Sequence, residues 1–308
     1  MTTHAAQLPM LLMGPMVRRA EQTGVCIVFA TSTPAQSQIN ILNTQSVSEQ
    51  QTITLGERLY LHFVVVKPAS TPFALDTLIA YQLIINGNEV DLSAWAYSNQ
   101  VTPAFVIPNK LNSILHGSCR NAHHPAKDSL VTSSQWQNTQ RSQNTPGAQL
   151  LLLSGDQVYA DDVAGPMLLV IHQLIEKLGI YKEQPMALPL PNKIDEQLYN
   201  RHHFLPKTPW QKRSKLGVGY WLKKDEPHFS SVKAFNHLIH FEEFIALYLL
   251  NLSAAAWQCV DLQNVQYTGQ NPEHQRIFNA EKSALLGYAK GLNEVEKLFA
   301  NVWTLMIF

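Results

Sequence analysis

The sequence contains few charged residues and no excess of either sign. Asp, Glu, Lys and Arg make up 15% of the 308 residues, and 23 basic side chains balance 23 acidic ones. An average soluble domain has about 25% of these residues. Proteins that bind nucleic acid or an anionic membrane usually carry a basic patch. The composition therefore argues against nucleic acid and against a membrane surface as partners.

Cysteine is also scarce. Cys26, Cys119 and Cys259 are too few and too widely spaced for a disulfide framework. Cys26 and Cys259 lie in apolar segments and are predicted to be small buried hydrophobic residues. Cys119 has a different setting, because it follows a short apolar strand and precedes Arg120.

Long apolar runs are absent. No stretch of 18 apolar residues occurs, so the sequence predicts no membrane-spanning helix. The apolar residues 8–13 include Pro9 and precede Arg18 and Arg19, whereas the apolar part of a signal peptide follows its basic residues. We therefore expect a cytoplasmic protein.

Residues 1–110 predict a small antiparallel β domain. Strands are expected over residues 25–31, 51–66 and 78–85, with turns between and within these runs. Asn86-Gly87-Asn88 is a strong hairpin signal. Strands of this length with such turns are typical of a β-sandwich.

Residues 111–308 predict an α/β domain. Residues 113–117, 149–153 and 302–308 read as strands, and the apolar run at 149–153 is typical of a strand buried on both faces in a parallel sheet. Helices are predicted over residues 167–178, 235–250 and 279–298, and His237 and His240 would lie on one face of the second of them. Residues 181–232 contain several prolines and are predicted to be an irregular insertion with little core.

Candidate metal ligands follow the strand at 149–153. Ligands of open α/β sheets bind outside the carboxyl ends of the strands. Gly155 would allow a sharp turn there, Asp156 would supply a carboxylate, and Tyr159 a phenolate, which suits a hard ion such as Fe³⁺. Asp161 and Asp162 would be further ligands, residues that orient the ligands, or a helix cap. An ordinary strand-to-helix turn with Asp162 as N-cap is the alternative.

Cys119 follows a neighbouring predicted strand and would reach the same sheet edge, adding a thiolate to the carboxylate and the phenolate. A cysteine phosphatase needs Cys-x5-Arg, and residue 125 is a proline. A nucleophilic Cys119 with His116, His123 or His124 as its base is an alternative. A plain buried cysteine is another. Arg120 would either bind a phosphate or be a surface arginine.

Taken together, these segments resemble the PhoD-like alkaline phosphatase family of metallophosphoesterases. The matching stretches are Gly14-Pro15-Met16-Val17-Arg18-Arg19, Leu115-His116-Gly117-Ser118-Cys119-Arg120, Leu151-Leu152-Leu153-Ser154-Gly155-Asp156-Gln157-Val158-Tyr159-Ala160-Asp161-Asp162, and residues 298–308.

The resemblance implies a metallophosphatase domain with a layered α/β/β/α core behind the β domain. It implies hydrolysis of small phosphate esters with Fe³⁺ and Ca²⁺ or another divalent ion. Cys119, Asp156 and Tyr159 match the family's first metal set, with Asp156 as the bridging ligand.

The sequence departs from the family in lacking the second metal motif. The family continues after residues 298–308 with Asp-Asp-His, and this sequence contains no Asp-x-His. A two-metal mechanism needs both ions. We therefore expect a C-terminally truncated member with negligible phosphatase turnover. A non-catalytic interaction protein or an inert gene fragment is the alternative.

Overall fold

The computed structural model describes residues 8–183, 190–205 and 234–307, which form a mixed α/β structure. The strands are β1 (Leu11–Glu21), β2 (Gly24–Thr31), β3 (Ser37–Ile41), β4 (Ser46–Gly56), β5 (Leu59–Pro68), β6 (Leu78–Ile85), β7 (Asn88–Glu89), β8 (Ala104–Val106), β9 (Ile114–Gly117), β10 (Leu150–Ser154) and β11 (Trp303–Ile307). The α-helices are α1 (Ser129–Ser142), α2 (Gly165–Leu178), α3 (Ile194–Gln197), α4 (Phe241–Leu252), α5 (Ala254–Gln258) and α6 (Pro272–Asn301). Short 3₁₀ turns occupy Ser93–Trp95, Arg201–His203 and Ala234–Asn236.

The first eight strands form two antiparallel sheets. One has the order β1-β2-β5-β4, and the other joins β3, β6 and β7, with β8 also paired to β6. Side chains of a strand alternate between its two faces. In β2, Ile27 and Phe29 belong to the core between the sheets, whereas Val28 and Ala30 belong to the core shared with the helices. The predicted antiparallel strands are confirmed, and strand β2 of the first sheet is buried on both faces.

The turn between β6 and β7 is the predicted hairpin. Ile85 pairs with Asn88, and Asn86 and Gly87 both have positive φ, 51° and 81°. Two central residues of positive φ give a turn whose twist matches that of the strands. Strand β6 covers the predicted residues 78–85.

The third sheet is parallel and has the order β11-β10-β9. In the central strand β10, Leu151 and Leu153 lie on one face and are each 1% exposed, whereas on the other face Leu150 is 8% exposed and Leu152 is half-buried. Helix α2 then runs to Leu178 and ends at Gly179, whose φ of 57° is left-handed. The predicted strand and the predicted helix stop are confirmed.

Several local predictions need correction, among them the expected burial of Cys26 and Cys259, which are both partly exposed. Residues 129–142, which were not predicted as a helix, form α1, and its buried side chains include Ser134, Gln137 and Arg141. The helix predicted over residues 235–250 begins only at Phe241. His240 is its N-cap, and His237 follows the 3₁₀ turn Ala234–Asn236 in irregular backbone, so neither lies on a helix face.

The predicted insertion at 181–232 falls partly outside the described residues, since residues 184–189 and 206–233 are not among them. Its described part contributes more core than expected, because Leu198, Tyr199 and Arg201 are buried. The division near residue 110 stays a prediction. Among the described helices, none combines the length and apolar character needed to cross a bilayer.

Candidate functional site

The site is built on the carboxyl ends of two neighbouring parallel strands. Strands β9 and β10 pair in parallel, with Leu115 opposite Leu151 and Gly117 opposite Leu153. Cys119 comes two residues after β9, and Asp156 comes two residues after β10. The parallel register therefore delivers both residues to the same sheet edge.

Hydrogen bonds join the two loops that follow these strands. The Arg120 backbone N–H donates to the Asp156 carbonyl at 2.8 Å. The Gln157 side-chain amide donates to the Ser118 carbonyl at 2.8 Å. Gln157 is 3% exposed, so its bond to Ser118 is shielded from water. The separation of the two loops is thus fixed by main-chain contacts.

Gly155 allows the close approach of these loops. Its φ is +87°, and a Cβ at this position would lie 2.7 Å from Ser118 Oγ and 3.3 Å from Cys119 Sγ. Any other residue would be strained by the backbone and would collide with the neighbouring loop. Glycine is therefore required at position 155 for two reasons, the positive φ and the lack of space for a Cβ.

Cys119 is exposed, and its thiol is surrounded by hydrogen-bond donors. The pKa of Cys119 is lowered first by a hydrogen bond from Ser118, then by one from Tyr159, then by the backbone of Asp156. Ser118 Oγ lies 3.4 Å from Cys119 Sγ. Donors of this kind stabilise the thiolate, which is the form that binds metals.

Tyr159 is half-buried beside the thiol and is surrounded by negative groups. Its pKa is raised far above the ordinary value, first by burial, then by the hydrogen bond with Cys119 and by the charges of Cys119, Asp156 and Asp161. With no cation the phenol stays protonated and donates to Cys119. A cation at this edge would act in the opposite direction and favour the phenolate.

The structure therefore places the Tyr159 hydroxyl in hydrogen-bond contact with the Cys119 thiol, at the sheet edge where Asp156 acts on Tyr159 through its charge. Asp156 is exposed, and its charge also raises the pKa of Tyr248 on α4, after the larger effect of burial. A thiol, a carboxylate and a phenol at one edge form a donor set that fits a ferric ion. The chemistry of the three donors thus matches the ion that the resemblance implies.

Asp162 does not cap the following helix, because the N-cap of α2 is Ala164. The Asp162 carboxylate instead accepts from Asn121 Nδ2 at 3.2 Å and lies 3.3 Å from His123 Nε2. His123, one of the three histidines proposed as a base for Cys119, therefore interacts with Asp162. His116 contacts Ser154 Oγ at 2.7 Å, and His124 Nδ1 accepts from the Ala126 backbone at 3.1 Å. Within the described part of the chain, the groups that shift the Cys119 pKa include none of the three.

Arg120 is not a surface arginine, since it is 8% exposed. Its Nε and Nη2 donate to Asp128 at 3.0 and 2.6 Å, and its Nη1 donates to the Asn251 carbonyl. The guanidinium also lies over the Tyr288 ring, 4.7 Å from the centroid. Each guanidinium nitrogen already has an acceptor, so phosphate binding by Arg120 has no support from its contacts and stays only a prediction.

Asn251 is a residue that the sequence did not single out. Its side chain donates to the Gln157 carbonyl at 3.2 Å, and its own carbonyl accepts from Arg120 and from Tyr288, the latter at 3.2 Å. It thereby anchors both loops of the site to α4 and α6. No local spacing links position 251 to position 120 or 157, so sequence patterns could not have found it.

Comparison with models of known protein families, with curated proteins and with solved structures found no match to this chain.

Proposed function

We propose that this chain carries the first metal ligands, Cys119, Asp156 and Tyr159, of a metal-dependent hydrolase of phosphoric esters. The observation that supports the proposal is the hydrogen bond between Tyr159 and Cys119 at the edge of the parallel sheet where Asp156 also lies. We propose Fe³⁺ as the ion here, with Ca²⁺ or another divalent ion as its companion. We also propose that the mixed α/β fold has the layered α/β/β/α architecture.

The contribution of the chain itself is to arrange these donors. The bond between Arg120 N–H and the Asp156 carbonyl sets the distance between the thiol loop and the carboxylate loop. The Ser118 hydroxyl and the Asp156 backbone stabilise the Cys119 thiolate. When bound, a metal ion would polarise a phosphoryl oxygen and lower the pKa of a bound water. The exposure of Cys119 and Asp156 leaves the edge open to a small phosphate ester.

Iron binding tests the proposal directly. We expect the purified chain to retain about one iron per molecule after aerobic preparation with Fe²⁺, with a visible tyrosinate-to-iron absorption band. Tyr159→Phe should abolish the band, and Cys119→Ala should lower the iron content. Tyr60→Phe is a matched control, because the Tyr60 hydroxyl donates to the Glu57 carbonyl on a different part of the surface.

Two results would contradict the metal site. One is an iron content that is the same in the unaltered chain and in Cys119→Ala. The other is an absorption band that survives Tyr159→Phe. Either would favour the alternative of a non-catalytic interaction protein.

The reaction class needs a separate measurement. Hydrolysis of p-nitrophenyl phosphate is compared between the unaltered chain and the Cys119→Ala, Asp156→Ala double variant. Turnover above that of the double variant supports a phosphoric ester hydrolase and contradicts the sequence-based expectation of negligible turnover. Equal rates in a chain that binds iron support that expectation and count against an active hydrolase.

A further inference from the structure

A second group of metal-ligating side chains lies at the start of α4, apart from the sheet edge described above. Glu183 comes from the segment after α2, and His240 and Glu242 come from the first turn of α4 and its cap. One ligand atom of each residue lies within 4.8 Å of those of the other two. His240 Nδ1 and Glu183 Oε1 are 3.5 Å apart.

Glu242 is the buried member of this group, at 7% exposure. Its carboxylate accepts a hydrogen bond from the Glu183 backbone N–H at 3.3 Å. Within residues 8–183, 190–205 and 234–307, no lysine or arginine forms an ion pair with Glu242 or with Glu183. A buried carboxylate without a counter-charge is costly, and a second carboxylate beside it adds repulsion.

The buried Arg201 pairs with a different carboxylate of α4. Arg201 pairs with Glu243 at 2.6 Å, and both side chains are almost fully buried. His172 Nε2 is 2.8 Å from the same Glu243 carboxylate. Glu243 further accepts from the backbone N–H groups of Ile239 and His240 at 2.7 and 3.1 Å. These bonds fix the backbone that carries His240, and in the part of the chain that the structure describes they leave Glu183 and Glu242 without a lysine or arginine partner.

The helix dipole explains only part of this arrangement. Acidic residues are favoured in the first turn of a helix, which accounts for Glu242 and Glu243. The dipole of α4 does not account for Glu183, which approaches Glu242 from the segment after α2. The two carboxylates and the imidazole thus reach one point from separate segments, where their ligand atoms could hold a cation.

We propose that Glu183, His240 and Glu242 bind a divalent transition-metal ion, with Zn²⁺ as the representative ion, and that this ion ties the segment after α2 to the start of α4. One imidazole and two carboxylates are ligands that zinc accepts. Two ligands of a tetrahedral zinc ion with bonds of about 2.0–2.1 Å lie roughly 3.4 Å apart. The 3.5 Å between His240 and Glu183 is close to this spacing.

Zinc titration of the full chain by calorimetry tests this proposal. The parent is the Cys119→Ala, Asp156→Ala variant, so that zinc cannot be held by Cys119 and Asp156 and the result does not depend on the proposed hydrolase site. We expect one Zn²⁺ per chain. Glu183→Gln should weaken zinc binding at least tenfold, because it removes one ligand charge from a side chain that is 42% exposed and whose loss should leave the fold intact.

The matched control is Glu273→Gln, which removes an exposed carboxylate paired with Arg276 on α6. It should leave the zinc affinity unchanged. His240→Gln is the second ligand variant, and its melting temperature without metal verifies that it folds. Saturating zinc should raise the melting temperature of the parent but not that of Glu183→Gln.

The proposal is overturned if the parent binds no zinc, or if Glu183→Gln binds zinc as tightly as the parent and as Glu273→Gln. The proposal is also overturned if Glu183→Gln weakens zinc binding but a folded His240→Gln binds zinc as tightly as the parent. The histidine would then not be a ligand.

Discussion

At Gly155, a single hydrogen atom in place of a side chain allows the two loops of the candidate site to meet. The residue combines a φ of +87° with a neighbouring hydroxyl where its Cβ would be. Gly87 has a similar φ of +81°, but no atom lies within 4 Å of the position of its Cβ. Comparing substitutions at Gly87 and Gly155 therefore distinguishes the cost of backbone strain from the cost of a steric clash.

Gly87→Ala should lower the free energy of unfolding by roughly 1–2 kcal/mol through the left-handed backbone alone. Gly155→Ala should cost more than this and should also abolish iron binding, since Ser118 and Cys119 must move. Urea unfolding and iron content measure the two effects. Equal destabilisation by the two variants, with iron retained, would show that the close contact of the loops is not needed.

At the level of elements, Arg120 connects the loop after β9 with α1 and α4. It pairs with Asp128, the N-cap of α1, and donates to a carbonyl near the end of α4. Both Arg120 and Asp128 are less than 10% exposed. A buried pair of this kind is costly to break from one side, because the remaining charge stays buried without a partner.

We expect Arg120→Gln to lower the free energy of unfolding by about 3–5 kcal/mol. Arg276→Gln is the control, because Arg276 pairs with Glu273 on the exposed surface of α6, where an ion pair contributes little. Chemical denaturation compares the two. If Arg120→Gln lowers the free energy of unfolding no more than Arg276→Gln does, Asp128 must find another partner in the variant.

At the scale of the whole molecule, Glu296 lies where α6, α5 and the first sheet meet. Burial raises its pKa to about 8, although hydrogen bonds from Ser253 and the Ala254 backbone act in the opposite direction. Ser253 also donates to the Leu12 carbonyl of β1 at 2.6 Å, so the carboxyl group is close to a contact that joins all three parts.

This raised pKa predicts how stability depends on pH. The folded state holds the proton up to about pH 8, whereas the unfolded carboxyl loses it near pH 4.5. The protonated Glu296 therefore adds its full contribution to the free energy of unfolding below pH 4.5, and this contribution is lost as the pH rises to about 8. Glu296→Gln cannot ionise, so its stability relative to the unaltered chain should rise by on the order of 3–5 kcal/mol between pH 5 and pH 9.

Denaturant unfolding at several pH values measures this difference. Glu294→Gln is the matched control on the same helix, since Glu294 is partly exposed and paired with Lys297 at 3.1 Å. A pH dependence that is the same for Glu296→Gln and the unaltered chain would show that water reaches the carboxyl group.

Local patterns predicted those elements whose cause is local. The Asn86-Gly87 turn follows from two residues that accept positive φ, and the end of α2 follows from Gly179. The apolar run of β10 predicted a parallel strand, and β10 pairs in parallel with both β9 and β11. The meeting of Cys119 with Asp156 could be predicted from these strands, since parallel neighbours end at the same edge.

Helix α1 was missed because its buried face is polar. Ser134, Gln137 and Arg141 lie at helical spacing, yet their side chains are polar, so no apolar periodicity marks the helix. Strand β1 was missed for a different reason. Six consecutive residues from Leu12 to Val17 are buried, so the alternation typical of a strand with one solvated face is absent.

The sequence by itself determined the turns, the parallel strand and the identity of the donors at its end, because each depends on neighbours within a few residues. Only the tertiary structure decided that Arg120 is held by Asp128 and Asn251, and that Glu183 lies beside His240 and Glu242. These contacts join residues distant in the chain. Their partners are selected by packing and by the need to satisfy buried charge, which no local spacing records.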